Sequence, residues 1–341
     1  MARKRVRVKS DTGASRGGRF FAAPSKVPCF SSGAVILDCV LGGGWAENRV
    51  INIVGDKSTG KTLLAIEACA NFAKKYPHAT IHYNEVEAAF DLAYAEAIGL
   101  PLDRVHMVGT DEDDEDDVHC FTVQDVERDL TRRIDAGEHC LYIIDSLDAL
   151  SDTVELATDT DKGTYGAQKA KKLSEMFRKL NQRLAESKVT LMVISQVRDK
   201  IGVSFGRKTS RSGGRALDFY CSQVIYLAHI GRLKKVIKKV TRVVGVKVKA
   251  TCDKNKVTLP FRECEFPIFF GFGVDDATAG LNFLLEVGAS PWTVDESKQI
   301  LKDMPGMTSE DWATHRAKIN EAVVAEWYAI EDGFLNQRKK Y

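Results

Sequence analysis

Residues 50–54, Val-Ile-Asn-Ile-Val, run straight into Gly55-Asp56-Lys57-Ser58-Thr59-Gly60-Lys61-Thr62, after which Leu63, Leu64, Ile66, Ala70, Phe72 and Ala73 recur at helical spacing up to Pro77. An apolar strand, a turn of the form G-x-x-x-x-G-K-[ST] and an amphipathic helix, in that order, make a phosphate-binding loop. No other feature restricts the fold as much, because such a loop works only between a sheet edge and a helix N-terminus. Gly55 and Gly60 let the backbone turn N–H groups onto phosphate oxygens, Lys61 reaches the terminal phosphates and the Thr62 hydroxyl ligates Mg²⁺. Residues 55–62 are therefore the expected nucleotide site, with Mg²⁺ as its metal.

Strand-like runs recur at 80–83, 105–108, 140–144, 190–194 and 223–228, with helical stretches at 92–98, 123–136 and 168–187 between most of them. This alternation predicts an α/β fold with a mostly parallel sheet covered by helices on both faces. Residues 247–249, 256–259 and 265–270 read as an antiparallel extension, and from Val274 the pattern is mainly helical, broken at Gly288, Pro291 and Pro305. Three parts follow: an arm at 1–28, a core at 29–272 and a small, mainly helical C-terminal domain at 273–341, in which Trp292, Trp312 and Trp327 are expected to build a core of their own.

The 341 residues carry 49 Lys and Arg against 47 Asp and Glu, a net charge of +2, which excludes a generally polybasic nucleic-acid binder. The charge is segregated instead. Arg3, Lys4, Arg5, Arg7, Lys9, Arg16 and Arg19 mark the arm as basic; a second cluster holds Arg198, Lys200, Arg207, Lys208, Arg211 and Arg215, in a segment too rich in Gly, Ser and Thr to be regular; a third runs from Arg232 to Lys249. The acidic run 111–117 reads as a solvated surface loop. Eight cysteines form no Cys-x-x-Cys pair, so they read as small core residues of a reducing compartment and no zinc site is expected. No stretch approaches the roughly 18 apolar residues of a membrane span, and the basic start leads into no signal segment, so the expected location is cytoplasmic.

Two further elements belong to a nucleotide-hydrolysing site. Leu141-Tyr142-Ile143-Ile144-Asp145 is an apolar strand ending in a carboxylate, where the second Mg²⁺-associated group of a P-loop protein sits. The strand at 80–83 leads to Asn84, Glu85 and Glu87; strand alternation puts Glu85 and Glu87 on one side, and either could activate water.

Ser195-Gln196-Val197-Arg198-Asp199-Lys200-Ile201-Gly202-Val203-Ser204-Phe205-Gly206, followed by Ser212-Gly213-Gly214-Arg215-Ala216-Leu217-Asp218-Phe219-Tyr220, resembles the long signature of RecA recombinases. Residues 85–94 are similar to a second block of that family, and Ser32-Gly33 to Leu41-Gly42-Gly43-Gly44 is similar to its lead-in to the P-loop strand, so the resemblance covers roughly residues 29–272. It implies a RecA-type P-loop ATPase core that forms helical filaments on single-stranded DNA and exchanges strands with a homologous duplex, using ATP and Mg²⁺. Position by position, it implies that Glu87 activates the attacking water, Asp91 and Tyr94 contact adenine, and Gln196 senses the γ-phosphate. Gln196 would open a DNA-binding loop at about 197–213, where Ile201 wedges between bases, Arg198, Lys200, Arg207, Lys208 and Arg211 neutralise phosphates, and Gly213 and Gly214 close the segment. Lys254 and Lys256 match lysines that reach the ATP of the neighbouring subunit, and Phe219 matches a subunit-interface residue.

The chain also departs from the family. The first DNA-binding loop, expected near 158–166, matches poorly, although Tyr165 there could stack on a base; Ser195 replaces an asparagine; and the run 111–117 resembles an insertion. The N-terminal helical domain of the family is expected to be absent or reduced to the basic arm, in which Phe20-Phe21-Ala22-Ala23 is similar to the F-x-x-A contact of eukaryotic recombinases and nominates Phe20 as a filament contact. The expected partners are single- and double-stranded DNA and further copies of the chain, with room for loading or single-strand-binding proteins. A ring helicase on the same core and a non-hydrolysing recombinase regulator are the competing readings. The intact set Lys61, Thr62, Glu87 and Asp145 weighs against a regulator.

Overall fold

Every residue of β3 (Val50–Gly55) is buried, so the strand lies in the middle of a sheet with both faces covered. The computed structural model describes residues 27–87, 89–110, 118–151, 165–199, 209–211, 214–304 and 307–335. Next to β3 lie β7 (Lys188–Asp199) on one side and β9 (Gln223–Ile237) on the other, both parallel to it. The parallel array continues from β7 through β6 (His139–Asp145) and β4 (Thr80–Glu85) to β5 (Val105–Met107). On the far side of β9 the sheet turns antiparallel through β10 (Val240–Asn255), β11 (Arg262–Phe269) and β12 (Gly273–Val274).

Strand alternation divides the buried side chains into two clusters. Ile51, Ile53, Leu141, Ile143, Met192 and Ile194 face one way, under α2 (Lys61–Lys75), whose Leu64, Cys69 and Phe72 close that layer. Val50, Val54, Tyr142, Ile144, Leu191 and Val193 face the other way, under Val126 and Leu130 of α4 (Val123–Asp135) and Leu173 and Phe177 of α5 (Tyr165–Glu186). The mostly parallel α/β sandwich is thus as expected. A Thr122–Asp125 capping box starts α4, the kind of signal that sets a helix boundary locally.

Ahead of β3, α1 (Val35–Leu41) ends on Gly42 in the left-handed region, and Gly43 and Gly44 continue with positive φ into β2 (Trp45–Ala46), which pairs with β1 (Cys29–Phe30). A Cβ at Gly44 would lie 2.2 Å from the Phe30 carbonyl oxygen, a backbone atom that cannot step aside. Gly44→Ala is therefore expected to cost about 2–4 kcal/mol, read as a lowered urea midpoint; an unchanged midpoint would contradict the close approach.

Three expectations are corrected here, for residues 256–259, for the segment after Gln196 and for the C-terminal helices. Residues 256–259 are a turn rather than a strand: the Asn255 side chain accepts from the backbone of Val257 (2.9 Å) and Thr258 (3.3 Å), curling the chain before Phe261 at φ +66°. The segment after Gln196 is partly regular, because β7 continues to Asp199 and pairs antiparallel with β8 (Thr209–Arg211), Val197 opposite Arg211. The third basic cluster lies on the outer half of the β9–β10 hairpin, which turns at Lys238 and Lys239 with positive φ at both, the form that suits a two-residue hairpin loop. The helices α7 (Asp276–Glu286), α8 (Val294–Asp303) and α9 (Ser309–Phe334) do not build a separate core: Leu281, Leu284, Ile319 and Val323 are buried in the α2-side cluster, and Trp292, Trp312 and Trp327 pack partly buried against it.

Candidate active site

The parallel strands β3, β4, β6 and β7 deliver their ends to one edge. The register sets Gly55 opposite Gln196 and Glu85 opposite Asp145. Gly60 holds φ +84° at the start of α2, and a Cβ at Gly55 would stand 2.5 Å from Thr59 Oγ1, so the loop has no room for side chains at these two positions. Thr59 Oγ1 and Lys61 Nζ both donate to the Asp56 carbonyl, each at 2.8 Å, while Asp56, Lys57 and Ser58 are exposed. Burial pulls the Lys61 ammonium below its ordinary range; Asp145, Glu87, Asp56 and Asp148 pull it back up.

Thr62 Oγ1 donates to Asp145 Oδ2 at 2.8 Å, and the Tyr83 hydroxyl donates to the same oxygen, also at 2.8 Å. Asp145 is buried, which raises its carboxyl above the usual range; the two hydroxyls oppose the rise, and Glu87 and Glu85 add to it. With its proton given to Asp145, the Thr62 oxygen keeps its lone pairs for a cation. A hydroxyl oxygen, a buried carboxylate and a second carboxylate nearby are hard donors of the kind Mg²⁺ takes, so the residues present fit that ion.

Glu85 and Glu87 do not share a side. The strand ends at Glu85, Val86 N donates to the Asp145 carbonyl at 2.8 Å, and a bend follows. The Glu85 carboxylate accepts from the backbone N–H groups of Ala89 and, at 3.2 Å, Phe90, and so holds the turn. Glu87 is exposed and accepts from Ser146 Oγ and from Gln196 Nε2, the latter at 2.8 Å. The Gln196 backbone N–H donates to Asp148 Oδ2 at 2.7 Å. Lys61, Thr62, Asp145, Glu87 and Gln196 thus form one polar group at the strand ends.

Other expected residues lie elsewhere. Tyr94 is 2 % exposed, with its hydroxyl on Glu67 Oε1 at 3.1 Å, so its ring offers no open face to a base; α3 (Leu92–Ala97) carries it inward, and Asp91 caps that helix by accepting from Tyr94 N at 3.0 Å. Lys254 pairs with Val224, which pairs with Asn52 near the start of β3, so Lys254 and Lys256 stand at the edge of the sheet away from this chain's own loop. Lys254 Nζ donates to the carbonyls of Asp218 and Phe219, at the end of α6 (Gly214–Tyr220). The Phe219 side chain is 71 % exposed. Tyr165 opens α5, Arg198 and Arg211 lie on β7 and β8, and Gly214 opens α6. Phe20, Lys200, Ile201, Arg207, Lys208, Gly213, the arm up to residue 26, the run 111–117 and most of the expected first DNA loop lie outside the described residues.

Sequence reasoning missed the groups that hold the site. Tyr83, Ser146 and Asp148 hydrogen-bond to Asp145, Glu87 and Gln196 respectively, and Asn52 Nδ2 donates to Ser195 Oγ at 2.9 Å, so an amide from β3 reaches the serine that replaces the family's asparagine. Their signal was a polar residue inside an otherwise apolar buried strand, and a second acid three residues after Asp145.

Against known proteins, the family profile described as the RecA N-terminal domain matches residues 21–275. The chain is similar to Protein RecA of Limosilactobacillus reuteri, 34% identical over 266 residues, which is 78% of this chain and 69% of the relative. Protein RecA of Lactobacillus delbrueckii subsp. bulgaricus is 32% identical over 274 residues, 80% of this chain and 76% of the relative. Protein RecA of Streptomyces coelicolor is 31% identical over 317 residues, 89% of this chain and 80% of the relative. A P-loop, a buried aspartate on the loop threonine, and a glutamate touching the glutamine that opens the signature segment, together with these matches over most of the length, place the chain in the RecA family of DNA recombinases.

Proposed function

We propose that this recombinase is a DNA-dependent ATPase that forms filaments on single-stranded DNA and pairs them with a homologous duplex. The observation that carries the reading is the Glu87–Gln196 hydrogen bond, because it joins a hydrolytic carboxylate to the residue that opens the DNA-binding segment. A terminal phosphate held by the loop and by Lys61 competes for the Gln196 amide, so β7 and the chain beyond it take one arrangement with ATP and another after hydrolysis. Glu87, released from the amide and steadied by Ser146, orients and deprotonates the attacking water. Mg²⁺ would be held at Thr62 with Asp145 behind it and would neutralise charge on the phosphate oxygens.

The loop at about 197–213, with Gly214, is assigned to single-stranded DNA and Tyr165 to its neighbourhood. Lys254, Lys256, Phe219 and Phe20 are assigned to subunit contacts, with the two lysines reaching the nucleotide of the adjoining protomer. The position of Lys254 at the edge opposite Gly55 supports an action across the interface rather than within one chain. The outer β9–β10 hairpin is assigned to the duplex. Between His229 and Lys249 there is no acidic residue. Lys247 and Lys249 are paired with Glu265 (2.6 Å) and Glu263 (2.7 Å), whereas Arg232, Lys234, Lys235, Lys238, Lys239 and Arg242 form no ion pair among the described residues. Lys235 even stands directly opposite Arg242, an arrangement that repels unless an anion lies against it.

The test is ATP hydrolysis with and without single-stranded DNA, with electron microscopy of the same samples in a non-hydrolysable ATP analogue. Stimulation by at least tenfold together with helical filaments is the expected result. A rate indifferent to DNA, or closed rings, would overturn the reading.

A further inference from the structure

Tyr83 is a buried group that the mechanism above does not use. It lies on β4 with no exposed surface, in the α2-side apolar cluster, its ring edge-on to Phe90 at 4.8 Å. A phenylalanine would fill the same space, so packing explains the ring and leaves the hydroxyl to be explained. A hydroxyl in apolar surroundings is costly unless bonded, and this one donates to Asp145 Oδ2 at 2.8 Å. The same oxygen accepts the Thr62 proton at 2.8 Å. Tyr83, Asp145 and Thr62 therefore form a chain in which a rigid core ring fixes the carboxylate, and the carboxylate fixes which way the Thr62 lone pairs point.

We propose that Tyr83 is a positioning residue for the cation site: it anchors Asp145 so that the Thr62 oxygen is preset to take a divalent cation with the nucleotide. The inference rests on the nucleotide-site reading above. It assigns no proton transfer to Tyr83 and no contact with nucleotide. The anchor sits on β4, the strand next to the β6 strand that carries Asp145, and acts only through the shared Oδ2. Its loss frees the buried carboxylate to rotate and lets the Thr62 proton follow it, so the cation must then reorganise the pair on binding.

The test uses the full-length protein with Tyr83→Phe, which keeps the ring, and Tyr142→Phe, a fully buried tyrosine on the opposite face of the sheet, as a control for loss of a core hydroxyl. Binding of a fluorescent non-hydrolysable ATP analogue is titrated at a series of Mg²⁺ concentrations. Tyr83→Phe is expected to raise the half-saturating Mg²⁺ concentration about tenfold, as for one hydrogen bond to a charged group, with nucleotide affinity at saturating Mg²⁺ within twofold of the parent; Tyr142→Phe leaves both unchanged. In an Asp145→Asn background Tyr83→Phe should add little, since its action runs through that carboxylate. An unchanged Mg²⁺ requirement in Tyr83→Phe, or an equal shift in Tyr142→Phe, would overturn the proposal while leaving the nucleotide site standing. Nucleotide binding by the parent protein that ignores Mg²⁺ would overturn both.

Discussion

Glu87→Gln lowers the ATP turnover number by about 10²–10⁴-fold, the range for removing a general base, and leaves ATP-dependent binding to single-stranded DNA intact. The substitution is nearly isosteric, and the glutamine oxygen can still accept from Gln196 Nε2 and Ser146 Oγ, so the two contacts that position residue 87 survive. Only the capacity to take a proton is lost. Glu85→Gln is the internal comparison, because Glu85 is engaged with the backbone of Ala89 and Phe90, whereas the Gln196 amide donates to Glu87. Turnover measured with saturating DNA, beside binding measured by fluorescence anisotropy, decides the matter. Joint loss of both properties in Glu87→Gln, or a larger loss of turnover in Glu85→Gln, would contradict the roles assigned.

The second large effect is on duplex DNA. Replacing Lys234, Lys235, Lys238 and Lys239 by glutamine removes four of the six hairpin cations that form no ion pair among the described residues. If each neutralises one phosphate, the slope of log affinity against log salt becomes shallower by about 3.6, which between 50 and 200 mM salt is roughly a hundredfold change in salt sensitivity. Affinity for duplex at low salt falls correspondingly, while ATP hydrolysis driven by single-stranded DNA stays near the parent rate, because the hairpin tip lies far along the strands from the loop at Gly55. Exposed Val236, Ile237, Val240 and Val243 keep the strand propensity of the hairpin in the variant. A salt slope equal to the parent's would mean that the hairpin does not hold the duplex.

Much of the molecule was legible in the chain. The loop 55–62, the strand ending in Asp145 and the helices over residues 62–75, 92–98 and 123–136 depend on neighbours within a few residues: apolar periodicity, glycine at turns, a cap at Thr122. The core strands read as apolar runs because both faces are covered, and the continuous burial of β3 is the physical form of that signal. The basic stretch 232–249 was open to a hairpin reading, but its strand bounds were not legible, since the pairing that makes β9 and β10 long lies between residues whose own pattern is charged.

What lay beyond the chain's local reading involves partners distant in sequence. Periodicity continued past the end of β4 would have set Glu85 and Glu87 side by side; the bond from Val86 to Asp145, 59 residues on, bends the chain there and sends the two carboxylates to different partners. Tyr94 was open to an adenine role until α3 turned it into the core, and the C-terminal helices were a separate domain until their apolar faces found the α2-side cluster. The sequence by itself determined the chemistry available at the strand ends, because a phosphate loop and an acid-tipped strand are local patterns with local causes. The tertiary structure alone decided which of these groups touch, that Glu87 rather than Glu85 meets Gln196 and that Tyr83 and Thr62 meet on one oxygen of Asp145, because hydrogen bonds form between neighbours in space, and strands far apart in the chain become neighbours only when the sheet is assembled.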